Sequence, residues 1–157
     1  MTREYLELMK ADLLAEYKEV LCEDSLDAIL AATTAEEFIA LLHKFSCFLE
    51  YKCIPHAWWV RKWFNNPKRK QLANDNGVYF EGIHAVANPT TPIVIMGDAK
   101  IILTCSVPHL YNITLQEDSK CDITTFYACN IRVRQKGNAQ CRVLHKDRLS
   151  HIKIRKV

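Results

Sequence analysis

Glycine and proline are scarce in this chain, at four and five of 157 residues. With 49% apolar and 25% charged residues, the composition is that of a folded protein and not of a disordered or low-complexity one. No apolar run approaches the roughly 18 residues of a membrane-spanning helix. The opening Met1-Thr2-Arg3-Glu4-Tyr5-Leu6-Glu7 carries acids where a secretory leader needs a basic start and a long apolar stretch. These absences predict a cytoplasmic protein with no membrane partner. Catalytic signatures are missing as well: there is no glycine-rich phosphate loop, no His-Glu-x-x-His and no nucleophile elbow. The paired acids Glu36-Glu37 and Glu117-Asp118 fall at an expected helix start and a turn, where acids serve structure. No thiol or hydroxyl is tied by spacing to a base, so neither an enzyme nor a cofactor is expected.

The chain is long enough for one domain, or for two small ones sharing a core. Its seven cysteines are odd in number and sit in a chain too long for a disulfide-stapled miniature, so free thiols are expected. The net charge of +3 conceals a segregation: residues 1–50 carry −7, 51–75 carry +5, 76–122 carry −3 and 123–157 carry +8. A basic C-terminal end points to an anionic partner or to pairing with the acidic start.

The first half has helical periodicity. Leu6, Met9, Leu13 and Tyr17 share one face of a helix over residues 3–21. Asp24 or Ser25 caps a short second helix running to Leu30. Thr34 and Glu37 form a capping box, because hydroxyl and carboxylate satisfy each other's free backbone donors. The third helix then runs from about Ala35 to Glu50, with Phe38, Leu41, Leu42, Phe45 and Leu49 inward. A fourth starts near Pro55 and ends at Asn65-Asn66-Pro67. The polar, basic stretch Lys68 to Asp75 reads as a junction. The predicted division is a helical region over 1–75 and a β region over 76–157.

The strongest pattern lies in that second region. Gly97-Asp98-Ala99-Lys100-Ile101 recurs as Glu117-Asp118-Ser119-Lys120-Cys121 and again as Gly137-Asn138-Ala139-Gln140-Cys141. Leu103, Ile123 and Val143 fall in one column. A fixed period near twenty predicts a stacked β-solenoid, each repeat one rung. The paired positions Ile93-x-Ile95, Ile113-x-Leu115, Ile131-x-Val133 and Ile152-x-Ile154 give one strand per rung, spaced by twenty, eighteen and twenty-one residues. The fold class is thus α+β, an N-terminal helical cap on a short β-solenoid; a plain α+β sheet or sandwich is the alternative.

Three groups of residues could carry function. Arg132, Arg134, Lys153 and Arg155 alternate outward on the last two strands, with Arg132 predicted beside Lys153 and Arg134 beside Arg155, continued by Thr114 and Gln116. Such a stripe suits a phosphate backbone or an acidic protein; it also suits a charged edge that blocks aggregation. Arg61, Lys62, Lys68, Arg69 and Lys70 surround Trp58, Trp59 and Trp63, a mixture that nucleic-acid binders use; a helix cannot expose all three tryptophans cheaply, so packing of Trp59 and Trp63 on the first rung is the favoured reading, with the bases facing solvent. His43, Cys47, Cys53 and His56 are metal-ligand types, but their spacing matches no common zinc module, and no metal site is assigned.

Ala57 to Phe64 with its Arg-Lys-Trp-Phe core, Asn76-Gly77-Val78-Tyr79, and Asn88-Pro89 leading into Pro92-Ile93-Val94-Ile95-Met96-Gly97-Asp98-Ala99 resemble a loose set of uncharacterised small β-helical proteins of gut-bacterial mobile elements and prophages. The resemblance spans about residues 50–145. It implies a helical start followed by β-helical repeats and a phage-related setting. The functional expectation is a non-catalytic binding or assembly module, with an unknown protein or a second copy as partner; the alternative is binding of nucleic acid or another polyanion through the basic face.

Overall fold

The computed structural model describes residues 1–48 and 54–157, with side chains described outside 45–53. Among the described residues five α-helices come first: α1 (Arg3–Tyr17), α2 (Glu23–Ala31), α3 (Ala35–Phe48), α4 (Ala57–Trp63) and α5 (Pro67–Asp75), with a 3-10 turn over Lys18–Val20 after α1. Each of three starts has a local cause. Thr2 Oγ1 caps α1 by accepting from Tyr5 N–H. At α3 the Thr34–Glu37 box forms as expected: Glu37 N–H donates to Thr34 Oγ1 at 3.1 Å, and Thr34 N–H donates back to the Glu37 carboxylate at 3.1 Å. The side chains of Phe45 and Leu49, expected inward on this helix, and its expected end at Glu50 lie outside the described set. Asn66 Oδ1 accepts from Arg69 N–H, and Pro67 occupies the first turn of α5. The expected junction over Lys68–Asp75 is therefore a helix. Asn66-Pro67, which reads in sequence as the end of one helix, opens the next.

Nine strands follow: β1 (Val78–Tyr79), β2 (Ile83–Ala87), β3 (Ile93–Ile95), β4 (Lys100–Cys105), β5 (Leu110–Leu115), β6 (Lys120–Thr125), β7 (Asn130–Gln135), β8 (Gln140–Lys146) and β9 (His151–Lys156). Odd strands form a five-stranded sheet and even strands a four-stranded sheet, with every pairing parallel. Each turn of chain crosses both sheets once, which is a β-solenoid. Leu103, Ile123 and Val143 are direct partners in one file, as the period predicts. The other file is Ile93, Ile113, Val133 and Ile154. Its steps are twenty, twenty and twenty-one residues. The eighteen-residue step read from sequence is a slip by two, which leaves the same face inward and so is invisible to alternation.

Successive residues of β3 feed two different cores. Ile93 and Ile95 point into the solenoid with Ile113, Leu115, Ile123 and Val133. Val94 points outward into the helical core with Phe38, Trp59, Val60, Phe64, Val78 and Met96. The helices thus pack on the outer face of the five-stranded sheet at the first rungs, α3 against β3 and α5 beside β1. The outward column Val78, Val94, Thr114, Arg134, Arg155 records where that layer ends. It is apolar beneath the helices, then hydroxyl, then cationic. The start of the inward files is closed by half-buried Tyr79, His84 and Val86, the Tyr79 and His84 rings lying 5.0 Å apart.

The turns after the odd strands stack as well. Gly97, Glu117 and Gly137 occupy one position with φ of 62, 62 and 63°. A Cβ on Gly97 would come within 2.8 Å of both the Ala57 Cβ and the Phe80 carbonyl oxygen, so glycine there answers both conformation and space.

Candidate binding surface

The outer face of the five-stranded sheet carries a ladder of cations. In the pairing of β7 with β9, Arg132 lies beside Lys153 and Arg134 beside Arg155. Strands stack about 4.8 Å apart, so each pair sets two basic side chains on neighbouring strands of one face. Arg132, Lys153 and Arg155 are exposed and Arg134 is half-buried. On the preceding rung Asn112 stands beside Arg132 and Thr114 beside Arg134. Gln116 is not part of the stripe. It is buried in the turn, where its amide donates to the Pro55 carbonyl at 2.9 Å.

Two grooves flank Arg132. One, of about 330 Å³, runs between α3 and the sheet and is lined by His43, Lys44, Asn112, Thr114, Arg132 and Arg134. Its His43 Nε2–H donates to the Asn76 carbonyl at 2.6 Å, and burial lowers the pKa of the ring, favouring the neutral form. The other, of about 520 Å³, follows the strand starts and includes Leu110, Asn130, Arg132, Lys146, His151 and Lys153. The participation of Lys44 and Lys146 is not legible in the sequence, since it depends on which helix packs on the sheet and on where β8 ends beside it.

The second basic group lies elsewhere and serves the fold. Arg61 pairs with Asp98 and donates to the Phe80 carbonyl. Lys62 and the Trp63 indole N–H both donate to Asp12, at 2.8 and 2.6 Å. Arg69 lies 3.6 Å over the Tyr5 ring and donates to its hydroxyl at 2.6 Å, while Lys70 pairs with Glu81. Lys68 is exposed. These bases tie α1, α4 and α5 together and to the first rung; they do not extend the ladder on β7 and β9. Trp59 is buried beside Phe38, and Trp58 is exposed.

Among the described residues nothing is stacked on the last rung. Ile123 and Val133 are 0% and 1% exposed, while Val143 and Ile154, next in the same files, are 42% and 40% exposed. Leu144 and Leu149 beside them are also exposed. No described element lies beyond β8 and β9 in the sheet order.

Of the four expected metal-ligand types, Cys47 and Cys53 lie outside the described side chains. His43 is bound to Asn76, and His56 Nδ1 lies 3.2 Å from the Glu117 carboxylate. Among the described residues no group of three His, Cys, Asp or Glu could hold a metal ion. Cys105, Cys121 and Cys141 are free thiols in or beside the solenoid core. Burial pushes Cys105 up to about 12 and Cys141 up to about 11, and raises Cys121 further, so all three stay protonated and behave as small apolar groups. No described helix is long and apolar enough to cross a membrane.

Comparison with protein-family models, with curated proteins and with solved structures gave no match.

Proposed function

We propose that the chain is a non-catalytic binding or assembly module that works through the open end of its solenoid. The observation that carries this reading is the change in exposure along each inward file, from near zero at Ile123 and Val133 to 42% and 40% at Val143 and Ile154. Covering the two-fifths of each side chain that is still exposed is worth about 1 kcal/mol each, and a bare parallel edge adds unpaired backbone groups that a partner can satisfy. An assembly role agrees with the phage-related setting that the resemblance of residues 50–145 implies. The test is site-specific photo-crosslinking in cells, with benzoylphenylalanine in place of Ile154 and, as reference, of the exposed Ile102 on the outer face of the four-stranded sheet. A discrete adduct from position 154 and none from position 102 is the expected result. No adduct from 154, or equal adducts from both, overturns the reading.

A second reading is favoured by the register of Arg132 with Lys153 and of Arg134 with Arg155. A polyanion laid along the five-stranded sheet would relieve the repulsion between these like charges. Its test is a gel shift with generic DNA or RNA over a salt series. Arg132→Ala with Lys153→Ala should reduce the slope of log K against log salt by about 2. An unchanged slope removes both residues from this reading.

A further inference from the structure

We propose that the open end takes up an extended polypeptide segment of alternating apolar and acidic side chains, added as one further strand beside β9. This rests on the reading of that end as the working surface, and three features define the occupant.

The first is the backbone. His151 N–H donates to the Cys129 carbonyl at 2.8 Å and Val157 N–H to the Gln135 carbonyl at 3.0 Å, both toward β7. By strand alternation the N–H groups of Ile152, Ile154 and Lys156 face away from β7. Such an edge is a template for strand addition.

The second is the inward face. Ile152 and Ile154 continue the files of Ile131 and Val133, and nothing described is stacked on them. An incoming strand fills that space with an apolar side chain at every second position.

The third is the outward face. Lys153 already follows Arg132, so a further base on the next strand would add a third like charge to that column. A carboxylate there would relieve the repulsion. The chain builds this arrangement on its other sheet. Asp122 is the register partner of Arg142 and accepts from its guanidinium at 2.7 and 2.8 Å, while Lys100 lies 3.1 Å from the same carboxylate. A second copy docked through its own open end fits worse, because it brings Lys153 and Arg155 against the same cations. A nucleic acid meets the charges but leaves the apolar files and the strand edge uncovered.

The test is fluorescence anisotropy with a labelled synthetic peptide of alternating valine and glutamate, compared with serine/glutamate and valine/lysine peptides. The valine/glutamate peptide should bind at least about tenfold more tightly than either. Ile154→Asp should weaken it at least about tenfold. Lys153→Glu with Arg155→Glu should transfer binding to the valine/lysine peptide, a gain that a misfolded variant could not produce. Equal binding of valine/glutamate and serine/glutamate peptides overturns the proposal, as does an unchanged preference in the charge-reversed variant or no binding of any peptide. A crosslink through position 154 without peptide binding removes this occupant alone. Absence of both removes the open end as a docking surface.

Discussion

The Glu117 carboxylate accepts the backbone N–H of Ala57 at 3.0 Å, so a turn of the solenoid caps a helix sixty residues away. The same carboxylate accepts from Gly97 N–H at 2.7 Å on the rung before. The His56 side chain makes no cap of its own for α4. Glu117 thus supplies the acceptor and negative charge that a helix start favours. It does so from a left-handed conformation, φ 62°, that glycine holds at the equivalent positions 97 and 137.

That trade predicts an order of stabilities. The left-handed backbone costs about 1–2 kcal/mol, and each hydrogen bond to the charged carboxylate contributes about 1.5–3 kcal/mol. Glu117→Gly should lose about 2 kcal/mol net, and Glu117→Ala more, because alanine keeps the strain and loses the bonds. Urea unfolding followed by tryptophan fluorescence measures this, since all three tryptophans lie in α4. A glycine variant as stable as the natural chain would show that the clamp contributes nothing.

Gly97 and Gly137 have nearly the same φ but different surroundings, which separates conformation from space. Gly137→Ala should cost about 1–2 kcal/mol for backbone strain, its Cβ meeting nothing closer than 3.4 Å. Gly97→Ala should cost clearly more, because its Cβ would fall 2.8 Å from Ala57 Cβ and from the Phe80 carbonyl oxygen, where α4 meets the rung. Thermal unfolding of the two variants tests this. Equal losses would mean that α4 yields at no cost.

Asp122 ties three rungs of the four-stranded sheet together and gives stability an acid limb. The Arg142 guanidinium, with Lys100 beside it, holds the Asp122 carboxyl at about 2, below its ordinary 3.8. The folded pKa is the lower one, so the stabilisation is full above about pH 4 and is lost as pH falls through 2. The shift corresponds to at most about 2 kcal/mol, less where solvent screens the exposed Arg142 side of the pair. Asp122→Asn should flatten the fall in stability between about pH 4 and 2, measured by urea unfolding at several pH values. An unchanged slope would contradict the pairing.

The solenoid was legible because Leu103, Ile123 and Val143 repeat together with a polar turn, and two independent columns at one period leave little freedom. The register at β7 was not. Ile131 and Val133 both face inward, and pairing either with Ile113 satisfies alternation; only the turn spacing from Gly97 to Glu117 to Gly137 decides between them. Helix α5 was missed because Pro67–Asp75 is polar nearly all round, with Ala73 as its one buried residue, and so has no apolar face to announce it. The pairing of Arg132 with Lys153 and of Arg134 with Arg155 could be read from the repeat alone. The roles of Lys62, Arg69 and Lys70 could not, since Asp12, Tyr5 and Glu81 are distant in sequence. Nor could the bareness of Val143 and Ile154, which share their pattern with buried residues and differ in that no described strand is stacked on them.

Residue-resolved amide hydrogen exchange along β9 tests the open end most directly. The account predicts an alternation along the strand: the amides of Ile152, Ile154 and Lys156 exchange fast, while those of His151, Lys153 and Arg155 are protected by β7. Uniform protection along the strand would show that the edge is already covered, and would contradict an end held ready for a partner.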